Sequence, residues 1–147
     1  MEQGMVNTRQ VSSYKTVAVD TASPAKLILM LYDGALRFLG TALEGFEIED
    51  VQKRNETIHN NLLKAQNILL ELQRCLNHRD GGEFALNMFR LYDFMITQIM
   101  EANMKKQPGN LRPVMNMISE IRDAWEQMMR EQGTQAAPAG AGLSLSA

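Results

Sequence analysis

Four stretches of the chain repeat apolar residues at intervals of three and four, and this helical period constrains the fold more than any other feature. The first stretch begins at Pro24, after Ser23 as a potential N-cap, and Gly45 is a plausible end. Two more run from about 50 to 76 and from about 83 to 104, and a fourth follows Asn110 as a potential cap. No segment shows the alternation typical of a β-strand, so the sequence predicts an all-α fold.

The connections between these stretches are short, which favours an antiparallel, up-down four-helix bundle. Gly81 and Gly82 form the strongest turn signal and separate the second helix from the third. We expect the bundle to span residues 23–131. Residues 1–22 lack a helical period and are expected to form a flexible N-terminal arm, whereas the small residues of 132–147 predict a disordered C-terminal tail.

Charge, cysteine content and hydropathy narrow the class of protein. The 147 residues carry a formal net charge of −2, which gives no indication of binding to nucleic acid. A single cysteine, Cys75, allows no disulfide within the chain and suits a reducing compartment. No apolar run approaches the roughly 20 residues that a membrane span needs, and the first ten residues lack the apolar region of a secretory signal. We therefore expect a cytoplasmic protein.

One short motif occurs twice: Leu31-Tyr32-Asp33 returns sixty residues later as Leu91-Tyr92-Asp93. The apolar stripe of the first helix, shifted by sixty, coincides with that of the third, so the two motifs have the same helical phase. We expect a shared packing role in which both tyrosine rings lie at the edge of the core and each hydroxyl needs a hydrogen-bond partner. The leucines of both motifs and Trp125 are also expected in the core.

A search for catalytic residues finds one incomplete pattern. Glu56 and His59 have the Glu-x-x-His spacing of di-iron carboxylate bundles, but no second copy exists and the other stripes carry no inward glutamate. Cys75 and His78 lie three residues apart without further ligands or a base. We therefore predict a protein that is not an enzyme and holds no metal or cofactor, with a di-iron bundle using Glu56 and His59 as the enzymatic alternative.

The helices carry more apolar residues than a single buried stripe requires, which predicts a binding surface. Methionine, a side chain that adapts to irregular surfaces, occurs eleven times, and eight copies lie in the third and fourth helices. A partner chain, a second copy of this chain or the N-terminal arm would cover the surplus residues. The residues expected to contact a partner are Tyr14, Leu29, Leu63, Leu70, Phe89, Ile96, Met100 and Met115.

Several motifs, taken in order, resemble the flagellin-specific export chaperones of the FliS family. They are a tyrosine at position 14, "TASPAKLILMLYDGALRFL" at 21–39, "KAQNILLEL", "GGEFALNMFRLYDFM" at 81–95, "EAN" at 101–103 and "RDAW" at 122–125. The resemblance covers about residues 11–130. The methionine-rich third and fourth helices and the Ala/Gly-rich tail depart from the family pattern.

The resemblance implies a cytosolic helical bundle that binds the C-terminal segment of newly made flagellin. That segment is disordered when free and would lie as short helices in apolar grooves, which prevents premature polymerisation and supports export by the flagellar type III apparatus. It also implies that the N-terminal segment, with Tyr14, takes part in binding flagellin and occupies the groove when no flagellin is bound. A structural homodimeric bundle, in which the surplus stripes of two copies meet, remains the main alternative.

Overall fold

A computed structural model describes residues 23–135, and these residues form four α-helices with no strand among them. The predicted arm at 1–22, with Tyr14, and the tail from 136 onward lie outside the described residues. The all-α prediction is confirmed. The helices are α1 (Pro24–Gly45), α2 (Val51–Arg74), α3 (His78–Lys105) and α4 (Leu111–Gln135).

Side chains cap the first two helices, and the cap of α1 is the one that the sequence predicts. Ser23 Oγ accepts a hydrogen bond from the backbone N–H of Lys26 at 3.2 Å, and Pro24 occupies the first position of α1, where no N–H is needed. The Asp50 carboxylate accepts from the backbone N–H of Lys53 at 2.8 Å and begins α2. These caps satisfy N–H groups that have no partner inside the helix, and both helices begin where the sequence predicts.

Two helix boundaries differ from the sequence prediction. Helix α3 begins at His78, ahead of the expected start near 83, because the Asn77 side chain caps a first helical turn. Gly82 then bends the helix with φ 54° and ψ −132°, a backbone conformation that residues other than glycine rarely adopt. The glycine pair therefore marks a kink within α3. Helix α4 extends to Gln135, so residues 132–135, expected in the tail, are helical.

Neighbouring helices run antiparallel. A Cβ atom added at Gly34 would lie 3.1 Å from Ile68 Cδ1, and one at Gly45 would lie 3.0 Å from Thr57 Cγ2. As the chain advances along α1, its contacts on α2 therefore move backwards. Small residues let these two helices approach closely, and α1 and α2 form the tightest pair of the bundle.

The α2–α3 and α1–α4 pairs show the same reversal in their hydrogen bonds, since Ala25 and Asp33 of α1 bond to Trp125 and Arg122 of α4. The α2–α3 pair is joined by His59 with Asn103 near one end and by Gln73 with Phe89 near the other. Helix α4 packs on the opposite side of α1, where Trp125 Nε1 donates to the carbonyl oxygen of Ala25 at 2.8 Å. The predicted up-down four-helix bundle is confirmed for residues 23–135.

The repeated motif has the packing role expected of it. Tyr32 is 3% exposed and Tyr92 2%, and their hydroxyl oxygens lie 2.6 Å apart in a hydrogen bond that joins α1 to α3. Each hydroxyl is the partner of the other, and burial raises the pKa of both phenols. Leu31 and Leu91 are half-buried against the core, and Trp125 lies within it.

The core fills the space between the four helices with aliphatic side chains. Among the described residues no polar or charged side chain is fully buried apart from the tyrosine and tryptophan groups. The largest fully buried side chains are Leu39, Ile58, Leu62, Leu69, Met95, Ile99, Leu111, Ile118 and Val114.

Candidate protein-binding surface

Exposed apolar side chains are concentrated on helix α3. Within residues 23–135, all but one of the large apolar side chains that are exposed belong to this helix. Leaving such surface in water forgoes roughly 25 cal/mol for every Å² that could be buried. The exposed apolar residues of α3 are Phe84, Leu86, Phe89, Phe94, Met100 and Met104.

Most of these residues share one side of α3. At about 100° per residue, Leu86, Phe89, Met100 and Met104 fall within an arc of about 60°, with Asp93 at its centre. Phe94 and Phe84 lie outside this arc, about 80° and about 160° around the helix from Leu86. Along the arc the exposed side chains form a stripe rather than scattered single residues, which is the pattern of an interaction surface.

Helix α2 borders this stripe along its length. Asn103 Nδ2 donates to His59 Nδ1 at 3.0 Å at one end, and Gln73 Nε2 donates to the carbonyl oxygen of Phe89 at 3.1 Å at the other. Between these bonds, Leu63 and Leu70 lie half-buried on the same face of α2 as His59 and Gln73.

We call this surface the α2–α3 seam and define it by five residues: Leu63, Leu70, Phe89, Asp93 and Met100. The Phe89 ring is held at its position by an edge-to-face contact with His78, whose ring centroid is 5.4 Å away. A hydrogen bond between α2 and α3 lies at each end of the seam, and the apolar side chains between these two bonds are partly exposed to solvent. The seam brings together four of the residues that the sequence predicts as partner contacts.

Two other predicted contact residues are buried, which corrects their assignment. Leu29 is 5% exposed because α4 packs over that side of α1. Ile96 is 6% exposed because it lies one step nearer the core than Phe89 and Met100 and belongs to the core cluster. A partner could not contact either side chain without opening the bundle, so both residues stabilise the fold.

Met115 lies apart from the seam. It is half-buried on α4 and packs against the core. Tyr14 falls outside the described residues. Leu86 and Met104 are exposed but are not among the predicted contact residues, although the helical phase of Phe89 and Met100, extended in both directions, includes them.

A second surface, between α1 and α4, is covered within the bundle and contains an ion pair between the two helices. Arg122 Nε donates to Asp33 Oδ1 at 2.7 Å, and the same guanidinium contacts Asp123 and both carboxylate oxygens of Glu126 at 3.2 Å. These hydrogen bonds, led by that of Asp33, raise the pKa of Arg122. We call this surface the α1–α4 seam and define it by Ala25, Leu29, Asp33, Arg122 and Trp125.

A small cleft opens where the tyrosine pair meets α2 and α4. Its walls are mostly apolar, and it has room for about one water molecule, far less than a substrate pocket needs. The lining residues are Ile28, Tyr32, Leu72, Cys75, Leu76, Tyr92 and Trp125.

The residues of the di-iron alternative have other partners. The His59 ring bonds Asn103, and Glu56 Oε1 accepts a hydrogen bond from Gln52 at 3.1 Å. Across residues 23–135, no three side chains of His, Cys, Asp or Glu lie close enough together to hold a metal ion. The donor set therefore does not fit a di-iron centre. In the same part of the chain no helix is both long and apolar enough to cross a bilayer.

Comparison with known proteins matches the sequence to one family. The sequence pattern of the family described as flagellar protein FliS matches residues 6–132. The flagellar secretion chaperone FliS of Bacillus subtilis is 37% identical over 121 residues, which cover 82% of this chain and 86% of that protein. The FliS chaperone of Vibrio cholerae is 38% identical, over 82% and 89% of the two chains. That of Salmonella typhimurium is 35% identical, over 84% and 93%.

Proposed function

The chain belongs to the FliS family, and from this premise we propose that it is a cytoplasmic chaperone that binds the C-terminal segment of flagellin along the α2–α3 seam. The chaperone holds that segment until the flagellar type III export apparatus takes the subunit. It acts by binding alone, without catalysis and without a cofactor.

The exposed apolar stripe of α3 is the observation that carries this proposal. Phe89 is 38% exposed and Met100 48%, and Leu63 and Leu70 extend the apolar surface onto α2. An amphipathic helix laid along the seam would bury these side chains with anchors at i, i+3, i+4 and i+7. The flexible thioethers of Met100 and Met104 would adapt to different flagellin sequences.

A disordered segment needs a large apolar contact because it must offset the entropy of its own ordering. Coupled folding and binding typically buries roughly 1,000–3,000 Å². The seam runs along much of α2 and α3, between the polar contacts at His59 and at Gln73, so it suits a helical segment of several turns. While the segment is bound, its apolar face is unavailable to other flagellin subunits, which prevents premature polymerisation.

Homodimerisation is the second candidate function. Met104 is 81% exposed and continues the stripe beyond the bond between His59 and Asn103, so two copies could cover each other's seams. Sedimentation of the isolated chain at several concentrations separates the two candidates. A monomer at all concentrations favours the chaperone, and a stable dimer whose interface is lost on Met100→Asp favours the structural bundle.

Calorimetric titration with a peptide of the C-terminal segment of flagellin from the same organism tests the proposal. We expect saturable one-to-one binding, a large negative heat-capacity change and a gain of helix by circular dichroism. Met100→Asp should abolish or strongly weaken binding, while Glu101→Gln, one residue further along the same helix, should not. A flat titration with folded protein would overturn the proposed function.

A further inference from the structure

The two seams are related by the sixty-residue shift of the repeated motif. Ala25, Leu29, Asp33 and Leu36 occupy one side of α1, and Ala85, Phe89, Asp93 and Ile96 occupy the corresponding side of α3. At the first and last positions the α3 residues are the more buried, since Ala85 is 1% and Ile96 6% exposed whereas Ala25 and Leu36 are half-buried. At the middle two positions the order is reversed: Phe89 and Asp93 are more exposed than Leu29 and Asp33, and that difference indicates what a partner on α3 must supply.

On α1, the aspartate and its apolar neighbour are both satisfied within the bundle. Leu29 is buried under α4, and Arg122 reaches back from the same helix to bond Asp33 at 2.7 Å. The helix that covers the apolar residue therefore also supplies the cation for the carboxylate. This arrangement is an example, within the same molecule, of how a helix docks on this motif.

On α3, the corresponding aspartate has no cation in the part of the chain that the structure describes. Asp93 is exposed, and within residues 23–135 it forms no ion pair. In the antiparallel register it lies opposite residues 66–70 of α2, which are uncharged. On its own helix, the Thr97 hydroxyl donates to the Asp93 backbone carbonyl at 2.9 Å and not to the carboxylate. Arg90 lies one turn away but takes part in none of the ion pairs of residues 23–135.

A carboxylate at the centre of an apolar stripe affects which partners can bind. A purely apolar helix laid over the seam would strip water from Asp93 without replacing its hydrogen bonds, which is unfavourable. An acidic residue at that point would be repelled. A lysine or arginine would gain an ion pair strengthened by the surrounding apolar side chains.

We infer that Asp93 selects the partner helix by binding a lysine or arginine that is flanked on the same face by apolar residues contacting Phe89 and Met100. The inference rests on the proposed function and specifies the chemistry of the segment bound. At about 1.5 Å per residue, Phe89 lies about 6 Å along α3 from Asp93 and Met100 about 10.5 Å on the other side. The partner helix therefore carries its cation about four residues from one apolar anchor and about seven from the other.

The test compares three versions of the full chain: unaltered, Asp93→Asn and Glu101→Gln. Both substitutions remove one negative charge from α3, but Glu101 lies outside the stripe and pairs with Lys105. The probe is the flagellin C-terminal peptide, titrated at low and at high salt. We expect Asp93→Asn to weaken binding by about fivefold at low salt and to reduce the salt dependence, with Glu101→Gln close to the unaltered chain. Asp93→Arg should weaken binding further, and circular dichroism should show all variants folded.

A substitution scan of the peptide locates the cation. Each lysine and arginine is changed to glutamine and titrated against the unaltered chain and against Asp93→Asn. One peptide substitution should weaken binding to the unaltered chain and have no further effect on Asp93→Asn, which is the result of a coupled pair. If the peptide binds and all its substitutions act equally on both proteins, the inference about Asp93 is wrong while the proposed function stands. If the unaltered chain binds no peptide, the proposed function fails and the inference with it.

Discussion

The α1–α4 seam and the α2–α3 seam are built on the same sequence motif, yet one is closed and the other open. On α1, the stripe beside the Leu-Tyr-Asp motif is covered by α4 and its aspartate is paired with Arg122. On α3, the corresponding stripe exposes Phe89 and leaves Asp93 without a cation among residues 23–135. The difference arises from the helix that lies across the motif, and it separates a contact that holds the bundle together from one available to a partner.

The largest expected effect is on the free energy of unfolding, and it distinguishes core from surface positions on α3. Ile96→Asp would bury a charge with no partner, and we expect a loss of about 4 kcal/mol in the free energy of unfolding. Met100→Asp, four residues further along α3 but at a side chain that is 48% exposed, should change this free energy by no more than about 0.5 kcal/mol. Urea unfolding followed by circular dichroism measures both. Equal stability of the two variants would place Ile96 at the surface and contradict the account.

A smaller effect concerns the tyrosine pair that joins the two related helices. Tyr32→Phe leaves the buried Tyr92 hydroxyl without its partner, so we expect a loss of about 1–2 kcal/mol in the free energy of unfolding. The double variant Tyr32→Phe with Tyr92→Phe removes both hydroxyls and should be less destabilised than the single variant. Additive losses in a double-mutant cycle would show that the two hydroxyls do not depend on each other.

The smallest expected effect compares how much the two aspartates contribute to the free energy of unfolding. Asp33→Asn removes the ion pair with the half-buried Arg122, and we expect a loss of about 1 kcal/mol in the free energy of unfolding. Asp93→Asn should leave the free energy of unfolding within about 0.3 kcal/mol of the unaltered value, because its carboxylate is exposed. Thermal melts of the two variants, run side by side, make the comparison. A larger loss for Asp93→Asn would show that its carboxylate supports the fold.

The sequence predicts the elements of this fold well because local chemistry determines them. Ser23 and Pro24 start α1 through capping that involves only neighbouring residues, and the helical period identifies the buried stripes. The equal helical phase of Tyr32 and Tyr92 also follows from the sequence. Because it places both rings at the core, it predicts that each hydroxyl needs a partner, and each is the partner of the other. These features depend on spacing along the chain and little on how the helices meet.

The candidate surface is harder to predict because it depends on how far each neighbouring helix extends over a stripe. Leu29 and Phe89 have the same spacing from their motifs, yet one is buried and the other exposed. The ion pair of Asp33 with Arg122 joins residues 89 positions apart and has no local signal. Similarly, the glycine pair predicts a break in the helix. It does not predict the helical turn before the break, which the Asn77 side chain caps.

The central claim is that a partner binds on the α2–α3 seam and not on the α1–α4 seam. NMR of the methionine methyl groups tests this claim most directly. With the methionine methyl groups labelled, the flagellin C-terminal peptide is titrated into the full chain. The account predicts that the signals of Met100 and Met104 shift as the peptide saturates the protein, while those of Met115 and Met129, half-buried on α4, stay in place. Shifts at Met115 and Met129 with Met100 and Met104 unchanged would contradict it and place the binding surface on α4.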